Sequence, residues 1–462
     1  MTKQLLSTLA INLMFLSGFA QIVNYDDVGV IVNDKSTVSL QIGEYFKQAR
    51  NIPEQNMIHI ETVTNEAIDT VEFRNIQYQI KNYILQQGLE TKLKYLVTTK
   101  GVPFDIEVDS CTLSPNYTFT SCSSVESELA LLLSTDSTHI VKSNAFPNPY
   151  FKDTTHIGSS NLDLLLVSRL DGKTREDVFN LIDRSGPETY VNKKLGKFIF
   201  DISYCEQGPT FDLFSSKMYH AIDTLNNRGW NTLFDGDTLV PRNEENVIGF
   251  VGFIRRIYEE QLNYSWEKAS FAELIISGPV VTFYDSLNYS NNIQLSDMIG
   301  EGCTSGSAYV HSTWGSMLTD YTVFFGRYTE EKVNPFNLAE SYYMAIKSLS
   351  WMNLLVGDPK TTITTEEGSA IATNSHTFDG LAVYPNPARR TVNISLNSTG
   401  SARATLLLSD QTGRTMRKVK YEVNQGRNQF QIDVNGLPVG LYFISIIDET
   451  GGGEIQKLMI CH

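Results

Sequence analysis

Three side chains could support hydrolysis if the fold brings them together. Asp285 and Ser286 stand side by side after an apolar run, and His311 lies at the end of another, SAYVHST. A serine hydroxyl with a carboxylate and an imidazole in reach can attack an ester or an amide. A second set, Asp34, Lys100, Arg169, Asp171 and Ser312, also falls at the ends of strand-like runs. Ammonium and guanidinium groups beside carboxylates can orient a polar ligand, and ligands of open α/β sheets bind beyond the carboxyl ends of the strands. These positions are therefore expected to line a binding crevice. A plainer reading stands beside that one, because strand ends meet solvent and cap helices in any such fold.

Other chemistries find less support. The seven histidines are scattered without ligand spacing, and the five cysteines form no CxxC pair, so no metal is expected. There is no Walker loop and no GxGxxG after the first strand, so no nucleotide or other cofactor is expected. Cys303, in EGCTSG, reads as a packed small residue. Cys111 and Cys122 flank TLSPNYTFTS, read as a polar loop, and are the expected disulfide. Trp266 and Trp314 are the aromatic residues expected at the surface, where they would suit a sugar or a peptide.

The elements that must hold these residues alternate. VGVIVN is an uninterrupted apolar run, as a strand buried on both faces would be. A helix with an apolar face at Val38, Ile42, Tyr45, Phe46 and Ala49 follows it. MIHIET, KYLVTTKGVP, LLLVSRLDG, KFIFDIS, NVIGFVGFI, GPVVTFYDS, SAYVHST and LLVGDP read as further strands, most of them separated by helical patterns. The fold class expected is α/β, a mostly parallel sheet with helices on both faces.

The ends differ from this middle. Lys3, an apolar stretch, and Gly18 and Ala20 ahead of a cut give a signal peptide over 1–20. The core is expected over 21–362 and a polar linker over 363–378. Short alternating runs from 379 to 462 predict a small β-sandwich. A net charge of −15 without a basic block argues against nucleic acid as a partner. After the signal peptide no apolar run is long enough for a transmembrane anchor.

The tail carries a resemblance. LAVYPNPARRTVNISL, LSDQTGR, GLPVGLYFISI and the closing KLMI resemble, in that order, the type A C-terminal sorting domain of the type IX secretion system of Bacteroidetes. The motif falls on Tyr384, Pro385, Asn386, Pro387, Gly413, Gly440 and Tyr442. The resemblance implies recognition by the outer-membrane export machinery and a destination at the cell surface or outside the cell.

The core resembles an uncharacterised family of exported bacterial proteins through SVESELALLL, NPYF, LLLVSRLDG, MIGEGCTSGSAYV, LAESYYMAI and SWMNLLVGDP. More distantly, VSRLDGKTREDVFNLIDR and VGDPKTT resemble gingipain-type cysteine peptidases, which implies a caspase-like fold. Such a peptidase needs a histidine after one strand and a cysteine after the next. Phe253 and Ile254 end NVIGFVGFI and Arg255 and Arg256 follow, and Asp285 and Ser286 close GPVVTFYDS, so neither group is in place. The reading that follows is an exported, catalytically degenerate domain binding a peptide or a glycan. Its alternatives are a hydrolase built on Asp285 and Ser286, and a structural surface-layer protein.

Overall fold

The computed structural model describes residues 23–114, 117–134, 146–157, 164–201, 209–235, 240–253, 262–275, 293–310, 317–332, 334–365, 378–398, 400–410, 415–447 and 453–461. The chain divides into two compact units, Met1–Thr364 and Thr365–His462.

The first unit opens with β1 (Val28–Asn33), α1 (Thr37–Arg50), β2 (Met57–Ile60), β3 (Ala67–Asp69), α2 (Thr70–Gln86), β4 (Tyr95–Thr99), β5 (Asp105–Ser114), β6 (Tyr117–Ser124) and α3 (Val125–Leu129). It continues with β7 (Phe146–Pro147), β8 (Leu166–Leu170), α4 (Arg175–Asp183), β9 (Thr189–Tyr190), β10 (Lys197–Asp201), α5 (Pro209–Asn227), β11 (Asn231–Asp235), β12 (Val247–Phe253) and β13 (Trp266–Ile275). It closes with α6 (Leu295–Glu301), β14 (Gly306–Tyr309), α7 (Tyr321–Tyr328), α8 (Leu338–Ala345), β15 (Ser348–Leu349), β16 (Asn353–Val356) and β17 (Ile363–Thr364).

Local chemistry sets the helix boundaries. Ser36 caps α1, Asp69 caps α2, and Thr174 with Asp177 closes a reciprocal box at the start of α4. The inward faces of α1 and α2 bury Ile42, Phe46, Phe73, Ile76, Ile80 and Ile84. Every residue of β1 is buried, as its unbroken apolar run requires.

Ten strands make one sheet, in the order β11-β10-β12-β13-β14-β16-β8-β4-β1-β2. Neighbours run parallel except at one place, where Gly306 to Tyr309 of β14 pair antiparallel with Val356 to Asn353 of β16. The sheet is thus two parallel halves of opposite direction. The carboxyl ends of β1, β4 and β8 lie at one edge, and those of β10, β12, β13 and β14 at the other. Smaller assemblies flank it: a three-stranded sheet β3-β5-β6, and the ribbons β7-β15 and β9-β17. The segment read as a loop between two cysteines is mostly the ladder of the β5–β6 hairpin.

Among its described residues the second unit has seven strands: β18 (Phe378–Tyr384), β19 (Thr391–Ser398), β20 (Ala402–Asp410), β21 (Thr415–Val423), β22 (Gly426–Asp433), β23 (Gly440–Ile447) and β24 (Gly453–Ile460). They form two antiparallel sheets, β18-β19-β22 and β21-β20-β23-β24, around one apolar core that includes Ile394, Leu406, Ile432, Ile444 and Leu458.

The two prolines of YPNP each follow a cis peptide bond, and the asparagine between them acts as a piece of strand. Its amide donates to the Lys457 carbonyl at 2.7 Å, and its carbonyl accepts from the Met459 N–H at 2.8 Å. Ala388 continues the contact, donating to Met459 O and accepting from Cys461 N, each at 2.8 Å. The outer edge of the last strand is thereby covered. Asn386→Ala should remove about 1–2 kcal/mol of stability and speed hydrogen exchange at the Met459 amide. Exchange unchanged at that amide would mean the edge is held by Ala388 alone.

Candidate functional site

Lys100, Arg169 and Asp171 meet at the carboxyl edge of the first half. They follow or end β4 and β8, which pair directly, Thr98 beside Arg169. The guanidinium is fully buried and heavily bonded. Nε donates to Asp171 Oδ2 at 2.7 Å, and one terminal nitrogen donates to Glu126 Oε1 at 2.8 Å. The other donates to the Val102 carbonyl at 2.5 Å, and the Phe104 ring lies 5.3 Å below. Burial opposes the charge, but Asp171 and Glu126 beside it more than offset this, so Arg169 is held ionised. Thr98 Oγ1 donates to Glu126 Oε1 at 2.7 Å.

Lys100 reaches the same carboxylate from the solvent side, Nζ to Asp171 Oδ1 at 3.2 Å. These three residues, with Ser36, Asn65, Glu66 and Phe104, line a cavity of about 190 Å³. The turn after Lys100 is fixed. Gly101 has φ +97°, Asn33 donates to its carbonyl at 2.8 Å, and a Cβ there would fall 2.2 Å from Ser36 Oγ.

Other expected members of the crevice are placed differently. Asp34 bonds His59 Nδ1 at 2.6 Å and is not part of the cavity wall. Ser312 and His311 lie outside the described residues. The strand they follow, β14, runs against β1, β4 and β8, so its carboxyl end is at the opposite edge. That reversal corrects the expectation of a single crevice holding all five residues. Asp285 and Ser286 also lie outside the described residues. The strand here is Trp266–Ile275, beginning well before the GPVVTFYDS run.

At the opposite edge the described side chains are mainly buried and polar. Glu273 of β13 accepts from the Tyr309 hydroxyl at 3.0 Å and from the Tyr321 hydroxyl at 2.9 Å. Burial pushes its carboxyl up from the ordinary range, against the lowering effect of these hydroxyls. Cys303, by contrast, is buried ahead of the amino end of β14 and donates to Ser305 O at 3.2 Å. Burial pushes its thiol up to about 12, so it is not a ready nucleophile. Trp266, expected at the surface, is buried against Tyr264.

Sequence reasoning took LLVGDP as a strand and missed the anchor at its end. Asp358 is fully buried. The Tyr25 hydroxyl donates to both its oxygens at 2.8 Å, and Arg50 Nε donates at 2.7 Å. Gly357 before it has φ +130°, and a Cβ there would lie 2.7 Å from Ser305 Cβ. The signal was available: an aspartate after glycine at the end of β16, with Tyr25 ahead of β1 and Arg50 closing α1.

In the β5–β6 hairpin, Cys111 stands opposite Phe119. Cys122 is three residues further along β6, about 10 Å at the usual strand rise. Among the described residues there is no cluster of metal-binding side chains, and no helix is long and apolar enough to cross a membrane.

Comparison with the curated proteins finds no match. Among solved structures the chain is similar to dimeric latent PorU from Porphyromonas gingivalis, at 12% identity and a TM-score of 0.17, covering 25% of this chain and 11% of that one. It is similar to an immunoglobulin-like β-sandwich protein from Bacteroides vulgatus at 14% identity and a TM-score of 0.15, covering 18% and 92%. A β-glucosidase from Listeria innocua gives 8% identity and a TM-score of 0.16, covering 62% and 49%. Overlaps this slight carry no argument about the core. The tail is different, because residues 382–461 match the family of secretion system C-terminal sorting domains. Beginning inside β18, the match takes in the YPNP elbow, both sheets and the terminal strand. The second unit is therefore a type IX sorting domain, and the protein that carries it is exported to the cell surface or the extracellular space.

Proposed function

We propose that the core is a binding domain carried outward by its tail, related to the gingipain-type fold but without the reacting groups of a peptidase. Its ligand is a peptide or a glycan, one polar group of which enters the crevice of Lys100, Arg169 and Asp171. The observation that carries this reading is the crevice itself. It has one ammonium at its mouth, a fixed guanidinium–carboxylate pair at its floor, and room for about one residue-sized group. The saturated Arg169 holds the wall, and Lys100 is the cation placed to meet a ligand.

A hydrolase using Asp285, Ser286 and His311 is the second reading. It is favoured by one observation: these residues follow β13 and β14, which are adjacent parallel strands. The buried, proton-holding Cys303 offers no cysteine route in its place.

The test presents the purified full chain with arrays of peptides and glycans, and with a broad set of peptide and ester substrates. Lys100→Ala should weaken binding about tenfold or more, the worth of a charge-assisted hydrogen bond. Unchanged affinity in that variant would sink the crevice. Turnover that Ser286→Ala abolishes would replace the binding reading with the hydrolase.

A further inference from the structure

The charge of the chain is unevenly divided. Residues 381–462 hold nine of the 37 basic residues but only six of the 52 acidic ones, so the tail is net positive on a strongly negative protein. Part of that excess is gathered on one sheet. In β21, Lys418 stands across from Leu407 and Lys420 across from Thr405. Leu406 and Leu408, between and beside those partners, are fully buried, so the lysines are on the outer face. The same face continues through Ser445 beside Leu407, then Phe443 beside Ser409, with Lys457 across from Phe443. Both Lys418 and Lys420 are exposed, whereas Leu407 and Phe443 are half-buried.

We propose that this face, Lys418, Lys420 and Lys457 around Leu407 and Phe443, is where the sorting domain meets an acidic protein surface of the export machinery. The inference rests on the reading of the tail as a sorting domain and specifies which side of it is read. Cations framing apolar side chains match the anatomy of a protein interface, a hydrophobic centre with a polar rim. Charge complementarity of this kind speeds encounter and selects the partner. An anionic membrane is the poorer fit, because lipid-seeking patches concentrate about four to eight basic residues.

Lysines on an edge strand also prevent edge-to-edge pairing of sheets. Reversing their sign separates the two roles. Glutamate blocks edge pairing as lysine does, but it repels an acidic partner.

The experiment compares export of the full chain in its native host with that of the double variant Lys418→Glu, Lys420→Glu. The readout is the fraction reaching the surface or medium against that retained in the periplasm. The double variant should lower the exported fraction about tenfold, with its circular dichroism and melting unchanged after purification. Lys418→Gln with Lys420→Gln, which removes charge without reversing it, should give a smaller loss and covers the case of a double reversal that misfolds. Arg427→Glu, on β22 of the other sheet, should export normally. Normal export of the folded double reversal overturns the proposal. So does an equal loss with Arg427→Glu, which would make net charge the cause. Lost binding to anionic vesicles with normal export overturns it in favour of a lipid. Deletion of 365–462 tests the underlying reading separately, since export of that truncation would mean the tail is not the address.

Discussion

Alanine at Asp358 is expected to cost the core about 3–5 kcal/mol, the usual loss when one partner of a buried ion pair is removed. The carboxylate is the shared acceptor of a phenol and a guanidinium that arrive from far away in the chain, Tyr25 and Arg50. Its loss leaves Arg50 charged in a mostly buried place and Tyr25 with no acceptor. Arg50 also donates to the carbonyls of Ile182 and Ser185, so the damage spreads to the end of α4. Urea unfolding of the purified full chain, followed by a core tryptophan, measures it. A loss under about 1 kcal/mol would mean the network is decorative, as exposed ion pairs often are. Asparagine at the same position keeps the shape and one acceptor, and should cost less than alanine.

Arg169→Met should be as damaging. The guanidinium is the counter-charge of two buried carboxylates, Glu126 and Asp171. Removing it leaves both in a buried wall without that partner, and breaking a buried ion pair costs about 3–5 kcal/mol. Urea unfolding of the variant beside the parent measures it. A loss under about 1 kcal/mol would show that an apolar side chain packed against Phe104 supplies most of what Arg169 does.

Much of the first half of the sheet could be read from the chain. Runs rich in apolar and β-branched residues, such as VGVIVN and YLVTT, have one comfortable place, the inside of a parallel sheet, and that is where β1 and β4 lie. Lys100, Arg169 and Asp171 were legible for the same reason, since parallel neighbours bring their ends together. The reversal at β14 and β16 was not. Strand direction within a sheet leaves no periodicity in a sequence, so Ser312 was grouped with an edge that the strand before it points away from. Nor was the β5–β6 hairpin visible, because DIEVDSCTLS and YTFTSCSS place polar residues on both faces. Trp266 misled for a related reason: one aromatic among charged neighbours looks exposed until the strand's inner face is known. The tail was read well because its fold depends on local signals, alternation and turn residues, that a short stretch contains in full.

The strand at the junction has a further consequence, in time and not in space. β16 sits in the middle of the ten-stranded sheet, between β8 and β14, yet it is the last of the ten along the chain. As the polypeptide emerges, each half can gather its own strands, but nothing can weld them until Val356 has left the ribosome. Pairings this distant in sequence also form slowly. Placing the keystone at the far end of the core delays completion of the sheet until nearly the whole core is available.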